Sequence, residues 1–363
     1  MKKKLRRLMV LLVTTCFMVT AVTACGSTSS STSTDTSKSD GTAATAASGD
    51  SKAAEKRLKI GVIYLTAEHP YYQAHAKHSE AYAKVKDIDL VELDGKLDQA
   101  NMATQMENLV AQKVDGIIYC LADGKAAAAD INSAQNAGIP VLTFAIKHDP
   151  TLASCPFVGI DEKAAGALGG EAAANKFKAA FPDKKAKIAV IEITGTSAST
   201  DRSDGFIQGF QKVIPDAEVV KRLNGEGKKD KAMAVVEDTI QSNPDINVWF
   251  GANGDQGLGA LAALEAHNRG TIKTDLVISH DGSEPELLKI ADPDSALKIA
   301  NANLPKELAE KTIDTMIDLI NKKIDMKSTE DVFVPSTVIT GDDLDLAQKF
   351  LTDEYLSKTV LKK

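Results

Sequence analysis

The sequence predicts an α/β protein of two doubly wound, Rossmann-like lobes. Apolar strand-like runs alternate with segments of helical period, the alternation starts afresh roughly 130 residues later, and 363 residues exceed one typical domain. A content of 43% hydrophobic and 26% charged residues is enough for two sizeable cores.

Residues 58–65 (LKIGVIYL) read as a buried strand, 75–85 as a helix and 90–93 as a second strand. An amphipathic helix over 102–112 precedes a third strand at 116–120 (GIIYC). A helix over 126–137 and a Gly-Ile-Pro turn lead to a fourth strand, 139–144. The second copy follows the same order. Strand 188–193 matches 60–65, a helix covers 204–213, and strand 218–222 matches 90–93. Helix 231–240 precedes 247–251 (NVWFG) as 102–112 precedes GIIYC.

The first 24 residues are different in kind. Lys2, Lys3, Lys4, Arg6 and Arg7 precede an apolar run, residues 8–22, and small residues follow at Thr23 and Ala24. That order is a secretory signal peptide, too short and too broken to span a membrane. Val22-Thr23-Ala24-Cys25 resembles the bacterial lipobox, in which the cysteine thiol carries a diacylglycerol. The alternative is ordinary cleavage that leaves an exposed free thiol. Residues 26–55 are almost wholly Ser, Thr, Ala, Gly, Asp and Lys and cannot bury enough apolar surface to fold. Residues 25–57 are therefore expected to be a lipidated cysteine and its tether, with a reach on the order of 30 Å. Loss of the leader takes five basic residues from a chain whose formal charge is already −7. So acidic a chain is not expected to bind nucleic acid.

Cys120 and Cys155 are the cysteines of the folded part. A disulfide is possible in an exported chain, with buried free thiols as the alternative, because the two fall at opposite ends of the sheet.

Ligands of open α/β sheets bind beyond the carboxyl ends of the strands, next to helix N-termini. Several motifs stand at such places: His69-Pro70-Tyr71-Tyr72, Val158-Gly159-Ile160-Asp161 with Ala165-Gly166, Gly195-Thr196-Ser197 with Arg202-Ser203-Asp204-Gly205-Phe206, Asn253 with Leu258-Gly259-Ala260, and His280-Asp281-Gly282. With Val114-Asp115-Gly116-Ile117-Ile118 and Ala137-Gly138-Ile139-Pro140-Val141, this set resembles, over about residues 58–331, the ribose and galactose type substrate-binding proteins of ABC importers. That family has the type I periplasmic binding protein fold.

The resemblance implies that Tyr71 and Tyr72 stack on a sugar, with His69 in place of the family's asparagine. It places Asp281 and Asn253 at the strand-end ligand positions and Asn303, in Asn301-Ala302-Asn303-Leu304-Pro305, at the hinge. Carboxylates and carboxamides suit vicinal hydroxyls, and each of these residues has a helix-cap reading as the alternative. Asp161 is read either as a cap or as a ligand contact, and Arg202 either as an organiser of its loop or as a contact. Phe144-Ala145-Ile146-Lys147 departs from the family's charged sugar grip, and Thr200 replaces a pocket arginine. Ribose itself is therefore doubtful, and Lys147, Glu68 or His69 are the replacements available.

The lobes implied are residues 58–160 with 304–332, and 161–303 with 333–363, joined by a three-strand hinge. The implied role is a lipid-anchored monomer at the outer face of the membrane that closes on a small polar ligand, a sugar or polyol, and passes it to permease subunits. A sensor that signals to a membrane kinase or chemoreceptor has the same sequence features. So does a binding protein for a non-sugar ligand. An enzyme is disfavoured: Gly195-Thr196-Ser197-Ala198-Ser199 is no nucleophile elbow, no His-Glu-x-x-His occurs, and no cofactor is expected. Asp342-Asp343-Leu344-Asp345 lacks an EF-hand loop and reads as a turn and helix cap. A repressor would need a DNA-reading helix pair where the leader stands.

Overall fold

A computed structural model of the chain describes residues 57–362. The leader, Cys25 and all of the tether but Arg57 lie outside the described residues. Among those described, no helix is long and apolar enough to cross a membrane.

The first sheet grows from β1 (Leu58–Tyr64), β2 (Ile88–Asp94), β3 (Gly116–Tyr119), β4 (Val141–Phe144) and β5 (Phe157–Gly159). Between them run α1 (Pro70–Val85), α2 (Gln99–Ala111) and α3 (Ala127–Asn136). The chain then builds a second lobe from α4 (Glu162–Ala180), β6 (Lys187–Glu192), α5 (Ser197–Val213), β7 (Glu218–Asn224) and α6 (Lys229–Ser242). It continues with β8 (Val248–Gly251), α7 (Gly254–Ala266), β9 (Leu276–Asp281), α8 (Glu284–Ala291) and β10 (Leu297–Ala302). Helix α9 (Pro305–Ile320) and β11 (Asp331–Phe333) return to the first lobe, and β12 (Thr337–Thr340) and α10 (Leu344–Tyr355) end the chain.

The sheets run β11-β5-β4-β3-β1-β2 and β12-β10-β9-β8-β6-β7. In each, the first strand of the repeat lies between the second and third, so the duplication read from the sequence is a duplication of topology. All pairings are parallel except β10 with β12. Parallel sheets carry helices on both faces, and alternate residues of one strand therefore enter different cores. Ile60, Val62 and Tyr64 of β1 join one apolar cluster and Ile63 another. Trp249 of β8 faces one cluster, and Val248 and Phe250 face the other.

Helices α1 and α5 begin earlier than their apolar periodicity suggested, at Pro70 and Ser197. Their first turns are polar or cleft-facing, so the hydrophobic pattern does not report them. Pro70 stands at the first helical position and His69 Nδ1 accepts from the Tyr71 amide at 3.3 Å, which starts α1.

Helices α4 and α5 cross with their backbones almost in contact. A Cβ on Gly170 would come within 2.1 Å of the Phe206 carbonyl, and one on Gly205 within 2.1 Å of the Lys163 carbonyl. This crossing sets Glu162, in the first turn of α4, against Arg202 of α5.

The chain passes between the lobes three times. The first passage falls between β5 and α4, and the second between β10 and α9. The third follows Val334, since Phe333 pairs with Gly159 and the Val334 amide still donates to Gly159 O at 2.8 Å. Helix α10 packs against α1 and α9 of the first lobe as well as α8 and β12 of the second. Asp343 caps it by accepting from the Leu346 amide at 3.0 Å.

Candidate functional site

Between the lobes lies a cavity of about 400 Å³. Strand ends supply its floor from the second lobe: Asn253 after β8, Asp281 closing β9 and Asn303 after β10. Arg202 reaches it from α5, and the start of α1 supplies His69, Tyr71 and Tyr72 from the first lobe. Seven of the eight expected contacts thus share one cavity.

Asp161 is the exception. Its carboxylate accepts from the Ala164 amide at 2.9 Å as the N-cap of α4, and it borders a wider hollow of about 1000 Å³. Ala145, Ile146, Thr196 and Ala198 line both spaces, which are the narrow and wide parts of one cleft. Lys147 belongs to the wide part, where it pairs with Asp331 at 2.5 Å, whereas Glu68 lines the narrow part.

Asp281 is almost completely buried. Its Oδ2 accepts from the Gly254 amide at 2.9 Å, its Oδ1 accepts from Asn303 Nδ2 at 3.0 Å, and His69 Nε2 stands 3.7 Å from Oδ2. Burial pushes the carboxyl above its ordinary range, while His69, Arg202 and the Gly254 amide at the N-terminus of α7 hold it back.

A neutral histidine orients Asn303. Burial, reinforced by Arg202, drives His280 well below the usual imidazole range, so it is uncharged. His280 Nε2 lies 3.0 Å from Asn303 Oδ1, and its Nδ1 lies 3.3 Å from Asn301 Nδ2. With Nε2 as donor and Nδ1 as acceptor, both contacts are satisfied. The amide of Asn303 is then fixed with its nitrogen toward Asp281.

Arg202 is bound before any ligand arrives. Nε and Nη2 donate to Glu162 at 2.6 and 2.8 Å, a bidentate pair, and Nη1 donates to Ala252 O at 3.0 Å. Burial pushes the Glu162 carboxyl up and Arg202 pulls it back. Asn253 is similarly occupied: its Oδ1 accepts from the Gln256 amide at 2.8 Å as the cap of α7, and its Nδ2 donates to Gly227 O at 3.1 Å. Arg202 and Asn253 therefore act both as organisers and as cavity walls.

Tyr71 and Tyr72 expose 5% and 8% of their surface, with ring centroids 5.2 Å apart and planes at 71°. A flat ligand ring can lie parallel to one of them, not to both. The Tyr72 hydroxyl accepts from the Cys120 thiol at 3.5 Å, which anchors that ring from behind. Cys120 and Cys155 are both free and buried, and burial pushes each thiol up to about 12. They are inert at neutral pH.

Sequence reasoning missed Glu162, Glu286 and Tyr355. Glu286 sits behind Asp281, accepting from the hydroxyls of Ser279 at 2.5 Å and Ser283 at 2.6 Å. The Ser283-x-x-Glu286 spacing is a capping-box signal that was available in the sequence. Glu162 and Tyr355 had no such signal, since their partners are 40 and 74 residues away.

The fold recurs among known proteins. The model of the periplasmic binding protein domain matches residues 60–324. The chain is 27% identical over 270 residues to the ribose import binding protein RbsB of Bacillus subtilis, covering 74% of this chain and 84% of that protein. It is 28% identical over 313 residues to the xylitol-binding protein of Mycolicibacterium smegmatis, covering 85% of this chain and 84% of that one. Among solved structures, an ABC transporter periplasmic solute binding protein from Actinobacillus succinogenes with bound D-allose superposes with a TM-score of 0.69 at 25% identity. The match covers 79% of this chain and 98% of that one. The chain belongs to the periplasmic binding protein family.

Proposed function

We propose that this protein is an extracytoplasmic lipoprotein that binds a sugar or polyol between its lobes and hands it to the membrane subunits of an ABC importer. One observation carries the reading. An oriented carboxylate and two oriented carboxamides, Asp281, Asn303 and Asn253, converge at strand ends opposite the aromatic start of α1. Such groups accept and donate to neighbouring hydroxyls in fixed directions, while an aromatic wall suits the apolar C–H face of a carbohydrate. The family relatives named for ribose and xylitol support the same ligand class. Ala145 and Ile146 in the cavity wall bring no charge to that side, which favours a ligand other than ribose.

Mechanistically, the ligand bridges residues of both lobes and shifts the population toward the closed form through bending at the three interlobe passages. The importer reads that closed form. Catalysis has no part in this cycle. The chain acts as a monomer, held at the outer membrane face by a lipid on Cys25, with residues 26–55 as a spacer.

The test is a thermal-shift screen of the purified chain against monosaccharides, polyols, nucleosides and amino acids. At a hundredfold excess of ligand over Kd, native-state binding adds about 2.7 kcal/mol of stability. A rise with one sugar or polyol that disappears in Asp281→Ala supports the reading. A response confined to nucleosides or amino acids overturns the ligand class. For the anchor, Cys25→Ser is expected to release the chain from the membrane fraction, and continued membrane association of that variant refutes lipidation.

A further inference from the structure

The C-terminal segment is longer than the two sheets require, and its place in the structure gives it a task. Glu354 and Tyr355, adjacent at the end of α10, are tied to opposite lobes. The Glu354 carbonyl lies 2.8 Å from His78 Nε2 of α1, and its carboxylate accepts from the Lys306 amide in the first turn of α9 at 2.9 Å. Tyr355 turns the other way, and its buried hydroxyl donates to the Asp281 carbonyl at 3.1 Å. Beyond the helix, the Thr359 hydroxyl donates to Glu284 of α8 at 2.5 Å. Phe350, Leu351 and Tyr355 share a single buried cluster with Ala74 of α1 and Leu287 of α8.

Asp281 needs such support. It has φ +114°, a backbone conformation that side-chain-bearing residues rarely adopt, and Gly282 follows at φ +75°. Strained residues persist where their surroundings over-determine them. Here the Asp281 carbonyl accepts twice, from the Asn303 amide at 3.2 Å and from the Tyr355 hydroxyl. Phe350 closes over the turn, coming within 3.0 Å of where a Cβ on Gly282 would stand.

We infer that Tyr355 is a positioning residue for ligand binding: by holding the Asp281 carbonyl it fixes the strained turn, and so aims the Asp281 carboxylate into the cleft. Helix α10, which follows β12 of the second lobe and is tied to α1 and α9 of the first, is the strap that holds it there. The aim of the carboxylate is visible without a ligand, in the Gly254 amide that donates to it. The ligand-binding consequence rests on the sugar or polyol reading above; the geometric one does not.

The experiment compares the wild-type chain with Tyr355→Phe, which removes the hydroxyl and keeps the ring. Amide hydrogen exchange is followed by NMR without ligand, and affinity is then measured for whichever sugar or polyol binds the wild type. Loss of one buried hydrogen bond is expected to speed exchange at the Gly254 and Asn303 amides by about threefold to tenfold, with β6 unchanged, and to weaken binding by a similar factor. Unchanged protection at Gly254 and Asn303 overturns the inference, even if a sugar binds. So does a uniform rise that includes β6, which marks Tyr355 as a general stabiliser. A local rise in a chain that binds no sugar or polyol upholds the positioning role and rejects the ligand class instead.

Discussion

His69 of the first lobe and Asp281 of the second stand 3.7 Å apart, Nε2 to Oδ2, across the cleft. The lobes therefore meet inside the cavity, at two side chains already committed to helix starts: His69 Nδ1 accepts from the Tyr71 amide, and Asp281 Oδ2 itself accepts from the Gly254 amide. On the proposed reading, the ligand bridges or displaces this contact. His69→Ala is expected to weaken binding about tenfold, and loss of the α1 cap to cost about 1 kcal/mol. Calorimetric titration beside a ligand-free melt separates the two, and unchanged affinity removes His69 from the site.

Asp281→Ala has a cost even without ligand. It strands the Gly254 amide and one Asn303 hydrogen in a buried place, at about 1–3 kcal/mol for each unpaired group. Denaturant unfolding of the ligand-free variant is expected to show this loss, together with no measurable binding. A variant as stable as wild type contradicts the hydrogen-bond assignment.

Arg202 and Glu162 form a buried bidentate pair, with 14% and 8% of their side chains exposed. Removing one partner leaves the other charge desolvated. Glu162→Gln is accordingly expected to lower stability by about 3 kcal/mol and the melting temperature by several degrees. Equal melting temperatures for the variant and wild type count against the pair.

Glu286 predicts a pH dependence. Burial first, then the neighbouring Asp281 carboxylate, pushes its carboxyl up to about 8. Its folded pKa lies above its unfolded value, so between about pH 4.5 and 8 the native state holds a proton that the unfolded chain has lost. Stability from this group is complete below that window and falls as pH rises through it, by up to about 1.4 kcal/mol per pH unit. Glu286→Gln carries no such proton. Melting curves from pH 5 to 8.5 are expected to show the wild type losing ground to the variant, and parallel curves exclude the assignment.

The crossing of α4 on α5 leaves no space for a methyl group. Gly170→Ala sets a Cβ against the Phe206 carbonyl, an atom of the backbone that cannot rotate away. Overpacking of this kind costs about 1–3 kcal/mol. Because the same crossing holds Arg202 against Glu162, ligand affinity is expected to fall along with melting temperature. Retained affinity in a destabilised variant confines the role of the crossing to stability.

Much of this protein was legible in its residues. Alternation of apolar runs with helical period is local information, and it located both copies of the repeat, although the polar first turns of α1 and α5 escaped it. The family resemblance pointed to Asn253 and Asp281 at strand ends and to Asn303 at the hinge, and strand-end positions are locally legible because they follow from where the apolar run stops. Pro70 and the capping residues mark helix starts for the same local reason. Asp161 shows where this ends. It stands beside Glu162, and whether a residue caps α4, pairs across α5 or faces the narrow cavity depends on the phase of a helix against its neighbour.

By itself, then, the sequence determined two doubly wound lobes, the strand-end origin of the site and its family resemblance, because period, turn chemistry and caps act over a few residues. The tertiary structure alone decided that Asp161 borders the wide hollow, that Glu162 neutralises Arg202 and that Tyr355 braces Asp281. Those pairings join segments 40 and 74 residues apart, and only the close packing of whole helices and lobes brings them within a hydrogen bond.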